Sequence, residues 1–582
     1  MNLSSVSGKN WQFKKFNPTD VIYYSENFSL SEIVAKLISI RKKNITNIEL
    51  YLNPKIKNLM PNPLQLMDME AAIERTIKSI TEKNLIGIFG DYDVDGASST
   101  ALLAKYFQSI NQKVQIYIPD RQKEGYGPNN NGFKDLIDKG SKIIFTVDCG
   151  TLSFEPIKFA KNLNTDVIVL DHHQSDINLP EACAVINPNR LDDKSGLNYL
   201  SAVGVCFIFL VGLNKKLRDI NWFTKNKIKE PNILNFLDLV SLGTVCDVVP
   251  LIGLNRAIVK QGLKVIKKRS NLGIKTLSDL CKIDSQPTTF DLGYKLGPRI
   301  NAGGRVGRSS YGAELLMSDD PKKTFEIALN LNKSNKERQS IESMLSESVN
   351  KEVKKYHNHP LLVLSGKNWH EGVIGIVASR IKDKYNKPTI IISLNNGIGK
   401  GSARSVVGFD IGSQIIKALQ SNILLRGGGH KMAGGFTIKE EQISSFRDLL
   451  IKNYIKSHAN ISKDKSIYLD SIIAPSALNE KFYEEVYSLA PFGSGNSEPK
   501  FLIEDIKIIS SNIVGENHIK TILRGKDGAV FKGFIWNGKN SPLEPFFSKQ
   551  NNKDINIIGK MKLNEWAGEK KVEFMIEDIS IN

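Results

Sequence analysis

The sequence predicts an α/β protein: a helix-covered parallel sheet, then a long helix, a second, smaller α/β block and a C-terminal β-barrel. Three observations predict it. Between residues 85 and 170 four short apolar runs alternate with helical stretches, and three of these runs lead straight into an aspartate. A further apolar run opens at Leu361, after the charge-laced stretch Asp319 to Tyr356. From about residue 467 the pattern turns to short alternating strands, separated by turn signals such as Lys526-Asp527-Gly528.

Residues 1–80 read as a helical lead-in. Leu30 to Leu37 has helical periodicity with Ser29 or Ser31 placed to cap it, and Pro54, Pro61 and Pro63 punctuate the loop that follows. Residues 81–318 form the main block. Its strands, Leu85–Phe89, Val114–Ile118, Ile143–Val147 and Val167–Leu170, are almost continuously apolar, as strands covered on both faces are. A helix is predicted over Ala97 to Ile110. In such a sheet ligands bind beyond the carboxyl ends of the strands. Residues 319–356 read as a connecting helix, 357–460 as the second block and 461–582 as the barrel domain, with a linker at Lys463 to Ser466.

Composition narrows the class. At 582 residues several domains are expected, and 41% hydrophobic with 24% charged residues excludes a disordered or fibrous chain. Lys+Arg exceeds Asp+Glu by 79 to 61, a net charge of +18. That surplus suits a polyanionic partner, nucleic acid or an anionic membrane surface, although a lysine-rich compositional bias also produces it. The longest apolar run, Ala202 to Leu213, falls short of the roughly 20 residues that cross a bilayer. The start of the chain is polar, without a signal-peptide core, so a cytoplasmic protein is expected with no membrane partner. The five cysteines are scattered without a C-x-x-C pair and read as small buried thiols of a reducing compartment.

The acids at the strand ends carry the chemistry. Gly90-Asp91-Tyr92-Asp93-Val94-Asp95-Gly96 sets three carboxylates in one turn; Thr146-Val147-Asp148, Leu170-Asp171-His172-His173 and Gly243-Thr244-Val245-Cys246-Asp247 add more. Carboxylates gathered at one end of a sheet repel at low dielectric unless cations neutralise them. Oxygen ligands with one or two imidazoles suit Mn²⁺ or Mg²⁺. A lone aspartate at such a position is as readily a turn residue or a helix cap, so the grouping carries the inference.

The set D-x-D-x-D-G, T-V-D, D-H-H and G-T-x-x-D resembles the DHH phosphoesterase superfamily, and its order and spacing resemble that superfamily's bacterial single-stranded-DNA exonucleases. The resemblance runs on through Glu124–Gly127, Gly297–Arg305, Trp369–Ala378, Gly401–Ser405, Gly427–Gly435 and Pro491–Asn496. It implies a DHH domain, a DHH-associated domain and a C-terminal OB-fold. It also implies metal ligands Asp93, Asp95, Asp148, Asp171, His172 and Asp247, with Asp91 a ligand or a supporting carboxylate and two Mn²⁺ or Mg²⁺ ions held. Asp93, Asp95 and His173 are the implied catalytic set, His173 facing the scissile phosphate. Small departures are Gly303, where a residue such as Ala is commoner, and Gln174 after the D-H-H.

Strand contacts follow from the basic residues. Arg299, Asn301 and Arg305 sit in a stretch punctuated by Gly and Pro, read as a loop, where guanidinium forks can take phosphate oxygens. Gly427–Gly435 with His430 reads as a glycine-rich loop open to a phosphate. Ser402 and Arg404 resemble a pocket for a 5′-terminal phosphate, approached by Arg121. Tyr126 either stacks on a base, gates the entrance or is a packed loop aromatic. His370 reads as a structural histidine. Phe534, Trp536 and Lys532 are strand-binding candidates, or simply core. The resemblance implies a monomeric 5′→3′ exonuclease that releases 5′-mononucleotides from single-stranded DNA in recombination and repair, with single-stranded-DNA-binding protein and a helicase as partners. A phosphodiesterase for short oligoribonucleotides or cyclic dinucleotides, and a DNA-binding scaffold without activity, are the alternatives.

Overall fold

The structure, a computed structural model, describes residues 5–121, 123–458, 466–548, 554–566 and 569–581. Contacts divide the chain into two compact units: residues 62–247 with 265–462, and residues 1–61 with 248–264 and 463–582.

The first unit holds two sheets. One has five parallel strands in the order Val114–Tyr117, Leu85–Gly90, Ser141–Val147, Asp166–Leu170, Ala184–Ile186. Its central strands are almost wholly buried, because helices such as Val94–Ser109 and Asn130–Asp138 cover it. Hydrogen bonding runs one residue past the strands: Asp91 N–H donates to Val147 O, Asp148 N–H to Leu170 O and Asp171 N–H to Ile186 O. Three aspartates therefore stand in a row at the carboxyl edge. The strand Ala184–Ile186 was not anticipated, since three apolar residues give too short a signal.

The 33-residue helix Pro321–Val353 follows, capped by Asp320, whose carboxylate accepts from the Lys322 and Lys323 amides. The second sheet runs Leu424–His430, Ala433–Lys439, Ile398–Arg404, Thr389–Asn395, Leu362–Lys367; its last two strands are parallel and the other pairs antiparallel. Two sequence expectations need correction here. Gly427–Gly435 is not a loop but a hairpin whose glycines lie in paired strands. They are accommodated because the helix Ile411–Gln420 packs hard on them; a Cβ on Gly427 or Gly434 would strike Ile415. Arg299, Asn301 and Arg305 are not in a loop either. They lie on the helix Gly297–Val306, which continues from a π-helical turn, Asp291–Leu296. Pro298, which has no amide to donate, stands where the π-helical turn passes into the α-helix.

In the second unit the strand Asn10–Phe13 pairs in parallel with Ser466–Leu469. The lead-in thus contains a strand as well as helices; only Trp11 of its four residues is buried, so no alternation announces it. The Asp470 carboxylate, fully buried, receives Lys14 at 3.0 Å and Arg41 at 3.3 Å. Arg256, only 2% exposed, lies over the Tyr51 ring and donates to the carbonyls of Tyr51, Leu489, Ala490 and Pro491. Strands pair in the order Ser471–Ile472, Phe501–Val514, His518–Arg524, Val530–Ile535, Glu569–Ile581, Ile555–Trp566, and the last also pairs back onto Phe501–Val514. Residues 463–465 of the expected linker lie outside the described residues, and Ser466 already belongs to a strand.

Cys149 and Cys206 are buried as expected, and Cys246 and Cys281 partly so, but Cys183 is exposed. It sits in the turn before Ala184–Ile186, its amide bonded to Val167 O. Among the described residues no helix is long and apolar enough to cross a membrane; the apolar run Ala202–Leu213 is a helix buried almost all round.

Candidate metal centre

Each acid is placed by a local device. Asp93 caps the helix Val94–Ser109, accepting from Gly96 N–H at 3.0 Å. Asp95, in the first turn of that helix, accepts from the Ala202 and Val203 amides at 2.7 and 3.0 Å, the positive end of the helix Ala202–Asp219. Asp148 has φ +60, a left-handed conformation that aspartate tolerates. Asp247 ends the helix Leu237–Cys246. Gly243 lets that helix come close, since a Cβ there would stand 2.7 Å from Asp95 Oδ1; this is the physical content of G-T-x-x-D.

Three overlapping groups result: Asp91, Asp93 and Asp148; Asp95, His172 and Asp247; and Asp148, His172 and His173. Within each group one ligand atom per residue lies within 4.8 Å of the others. His172 Nε2 is 3.4 Å from Asp148, 3.6 Å from Asp247 and 3.9 Å from Asp95. Burial and the neighbouring His173 push the His172 pKa down to about 4, so a neutral lone pair points at three carboxylates. Its ring also bonds the backbone of Leu200, the outer-shell partner that fixes a ligating imidazole.

The acids are held against their charge. Burial, then repulsion among them, pushes Asp95 up to about 7 and Asp247 up to about 9, and raises Asp91 and Asp148 well above the carboxylate range. Asp91 Oδ1 and Asp148 Oδ1 are buried without a hydrogen-bond donor. Converging lone pairs, orphaned oxygens and mutual repulsion are what a pair of hard divalent cations relieves, and the oxygen-rich donor set with one imidazole fits Mn²⁺ or Mg²⁺.

Asp171 stands apart. One oxygen accepts from Thr151 N–H and Oγ–H at 3.1 and 2.7 Å; the other accepts from the His172 and His173 amides and from His173 Nδ1 at 2.7 Å. It joins none of the three groups. Burial opposes its charge, but these donors, His173 foremost, hold its carboxyl well below the usual range. In return His173, despite burial, is raised to about 9 and is an imidazolium at neutral pH. Tyr126 reaches the same histidine: its hydroxyl donates to Asp148 O at 2.9 Å and lies 3.3 Å from the His173 ring nitrogens, while the residue is 54% exposed. Thr151, Asn187 and Asn189 were missed in the sequence. Asn187 donates to Thr151 Oγ and His173 O, and Asn189 to His172 O. The run Asn187-Pro188-Asn189 after a short apolar strand was the available signal.

Arginines gather beside Asp91 and Asp93. Arg121 lies over the Tyr92 ring at 5.1 Å. Burial, then Arg121 and Arg338, lowers Arg305 to about 10, while Asp93 pulls the other way. Burial and Arg121 lower Arg404 as well. Arg305 donates to Gly372 O, and Arg404 to Ser402 Oγ at 3.1 Å. Gly375 makes room: a Cβ there would sit 2.9 Å from Ser402 Oγ and 3.1 Å from Arg404 Nη2. His370 caps that same helix, Glu371–Tyr385, through the Gly372 amide, a structural role. Mutually repelling arginines are relieved by an anion seated among them.

Three candidates are placed otherwise. Arg299 donates to Asn332 and to Lys295 O, tying its own helix to Pro321–Val353. Asn301 is half-buried one turn before Arg305. His430 is exposed at the end of the strand Leu424–His430 and joins none of the metal-capable groups. In the other unit Trp536 is 65% exposed and stacks on His518 at 4.1 Å, with Phe534 beside them. Trp536 is therefore not core.

Three stretches of the chain match known family models. Residues 85–244 match the model of the DHH family, N-terminal domain, residues 358–456 the DHHA1 domain and residues 469–578 the RecJ OB domain. Over 552 residues the chain is 33% identical to the single-stranded-DNA-specific exonuclease RecJ of Haemophilus influenzae, covering 93% of this chain and 95% of that one. The chain belongs to the RecJ family. The RecJ of Bacillus subtilis is 31% identical over 587 residues, 99% of this chain and 71% of that one. In fold, the chain resembles the crystal structure of Thermus thermophilus RecJ in complex with Mn²⁺, with a TM-score of 0.79 over 98% of this chain and 79% of that one at 24% identity. A second RecJ structure, bound to manganese, gives 0.57 at 28% identity over 70% of this chain and 97% of that one.

Proposed function

We propose that the chain is a metal-dependent exonuclease that hydrolyses single-stranded DNA from the 5′ end to 5′-mononucleotides, in recombination and repair. The observation that carries the reading is the set of three overlapping metal-capable groups at the carboxyl edge of the parallel sheet, adjoined by Arg121, Arg305 and Arg404. The RecJ relatives, named as single-stranded-DNA-specific exonucleases, support the substrate class.

Asp91, Asp93 and Asp148 would hold one cation, and Asp95, Asp148, His172 and Asp247 the other. Two divalent ions held by these residues would supply a nucleophilic hydroxide at neutral pH and offset the charge that develops on phosphoryl transfer. The chain's own groups do the rest. His173, kept protonated by Asp171, donates a hydrogen bond to the phosphate as its negative charge grows. Tyr126 steadies that ring from the exposed side. Arg404, Ser402 and Arg121 seat the 5′-terminal phosphate. Trp536 and His518 offer stacking surface to unpaired bases in the OB domain. The +18 charge favours a polyanion and makes binding fall steeply with salt. A monomer acting with single-stranded-DNA-binding protein and a helicase completes the reading.

The test is 5′-labelled single-stranded against blunt duplex DNA with Mn²⁺, Mg²⁺ or EDTA. Degradation of the single strand alone, abolished by EDTA, is expected; equal loss of both substrates, or activity in EDTA, overturns the proposal. Binding without turnover favours an inactive scaffold instead. Arg404→Ala is expected to lower the preference for 5′-phosphorylated over 5′-hydroxyl ends by roughly 10–100-fold, the worth of a charge-assisted hydrogen bond. Competition between the two ends in one reaction reads it, and an unchanged ratio removes Arg404 from the pocket.

A further inference from the structure

Phe290 and Tyr294 are stacked, ring centroids 4.9 Å apart at 24°, yet they are 58% and 73% exposed. They stand on the π-helical turn that leads into the helix Gly297–Val306. Neither the fold nor the metal centre uses them. Two large aromatics held face to face in water serve a flat, apolar ligand better than they serve stability.

Their position says which ligand. Tyr294, Pro298, Asn301 and Arg305 follow the spacing i, i+4, i+7, i+11, so one helix face runs from the aromatic pair to Arg305, which feels the charge of Asp93. From Phe290 to Arg305 the helix rises about 20 Å. Charge along the helix is mainly positive. Between residues 285 and 306 the bases are Lys295, Arg299 and Arg305, and the acid is Asp291 alone. Asp291 is already engaged by Thr288 and by Lys295 at 2.7 Å. A helix face that runs from a stacked aromatic pair to an arginine beside the phosphodiester site offers a single strand what it needs: rings for the bases and a cation for the backbone.

We propose that Phe290 and Tyr294 form a base-stacking platform for the single strand, several nucleotides downstream of the 5′-terminal phosphate. This rests on the nuclease reading. The pair holds the distal strand, so it sets substrate affinity and leaves the chemical step alone.

The test uses the Mn²⁺-loaded full chain and three 5′-phosphorylated probes: an oligothymidylate of about 20 nucleotides, an abasic strand of the same length and a dinucleotide too short to reach the platform. The double substitution Phe290→Ala with Tyr294→Ala is expected to raise KM for the oligothymidylate about tenfold with kcat unchanged. KM for the dinucleotide and the abasic strand should stay as in the wild type, and Tyr294→Phe should keep the wild-type KM throughout. An unchanged KM for the long strand overturns the platform, as does an equal rise on the abasic strand or the dinucleotide. A wild-type chain that cleaves none of the three overturns the nuclease reading, and the platform with it.

Discussion

Replacing Asp148 with asparagine is expected to slow hydrolysis of single-stranded DNA about a thousandfold while the protein stays folded. Asp148 belongs to two of the three metal-capable groups, its side chain is 4% exposed, and its Oδ1 has no hydrogen-bond donor. Asparagine keeps the size and tolerates the φ of +60, so the backbone has no reason to move. What changes is that an amide replaces a carboxylate common to two of the metal-capable groups. Calorimetric titration with Mn²⁺ should show weaker binding along with the lost rate. In EDTA the variant should melt no lower than the wild type, because a carboxyl whose ionisation burial and its acidic neighbours oppose has been replaced by a neutral amide. Wild-type Mn²⁺ affinity and rate in this variant would exclude Asp148 from the centre.

The second large effect is on pH. Without metal, Asp95 and Asp247 hold protons up to about pH 7 and 9, against the ordinary carboxylate value near 4. A cation must displace those protons, so apparent Mn²⁺ affinity should rise about tenfold per pH unit for each proton released, or about a hundredfold from pH 7 to 9. Titration in two buffers of different ionisation heat counts the protons; pH-independent affinity without proton release would refute the crowded-carboxylate picture. Metal-free stability runs the opposite way. A carboxyl whose folded pKa is raised stays protonated where the unfolded chain has ionised, so stability falls as pH rises toward the folded pKa. His173, raised to about 9, is likewise stabilising below its unfolded pKa and loses that contribution as pH climbs through 9. His172, lowered to about 4, acts oppositely between 4 and 6.5. The clean window is therefore pH 6.5 to 9, where melting in EDTA should drop and the stabilisation by Mn²⁺ should grow.

The parallel sheet and its acidic edge were legible because strands buried on both faces are apolar throughout, and because Asp91, Asp148 and Asp171 each follow such a run directly. The duties of these acids were not equally legible. Asp171 looks like its neighbours in sequence, but Thr151, twenty residues away, and His173 claim its oxygens. Only folding brings those donors together. Glycine misled twice for one reason. Local propensity marks Gly297–Arg305 and Gly427–Gly435 as loops, whereas the close packing of Gly304 on Tyr92 and of Gly427 on Ile415 is a tertiary fact. The arginines divided likewise: Arg121, Arg305 and Arg404 converge, while Arg299 is spent on tying two helices together.

The parallel pairing of Asn10–Phe13 with Ser466–Leu469 also sets an order of assembly. On the ribosome the first 61 residues emerge early, but the strand that completes them, and the Asp470 that pairs with Lys14 and Arg41, arrive only after some 400 further residues. At 5–20 residues per second that delay is roughly 20–80 s. The central unit can finish folding within it, while the opening segment waits with the apolar side chains of Trp11, Val34 and Leu37 uncovered. Nascent chains of this protein should therefore depend on chaperones through their amino-terminal end, and a chain stalled before residue 463 should carry a working sheet edge alongside an orphaned beginning.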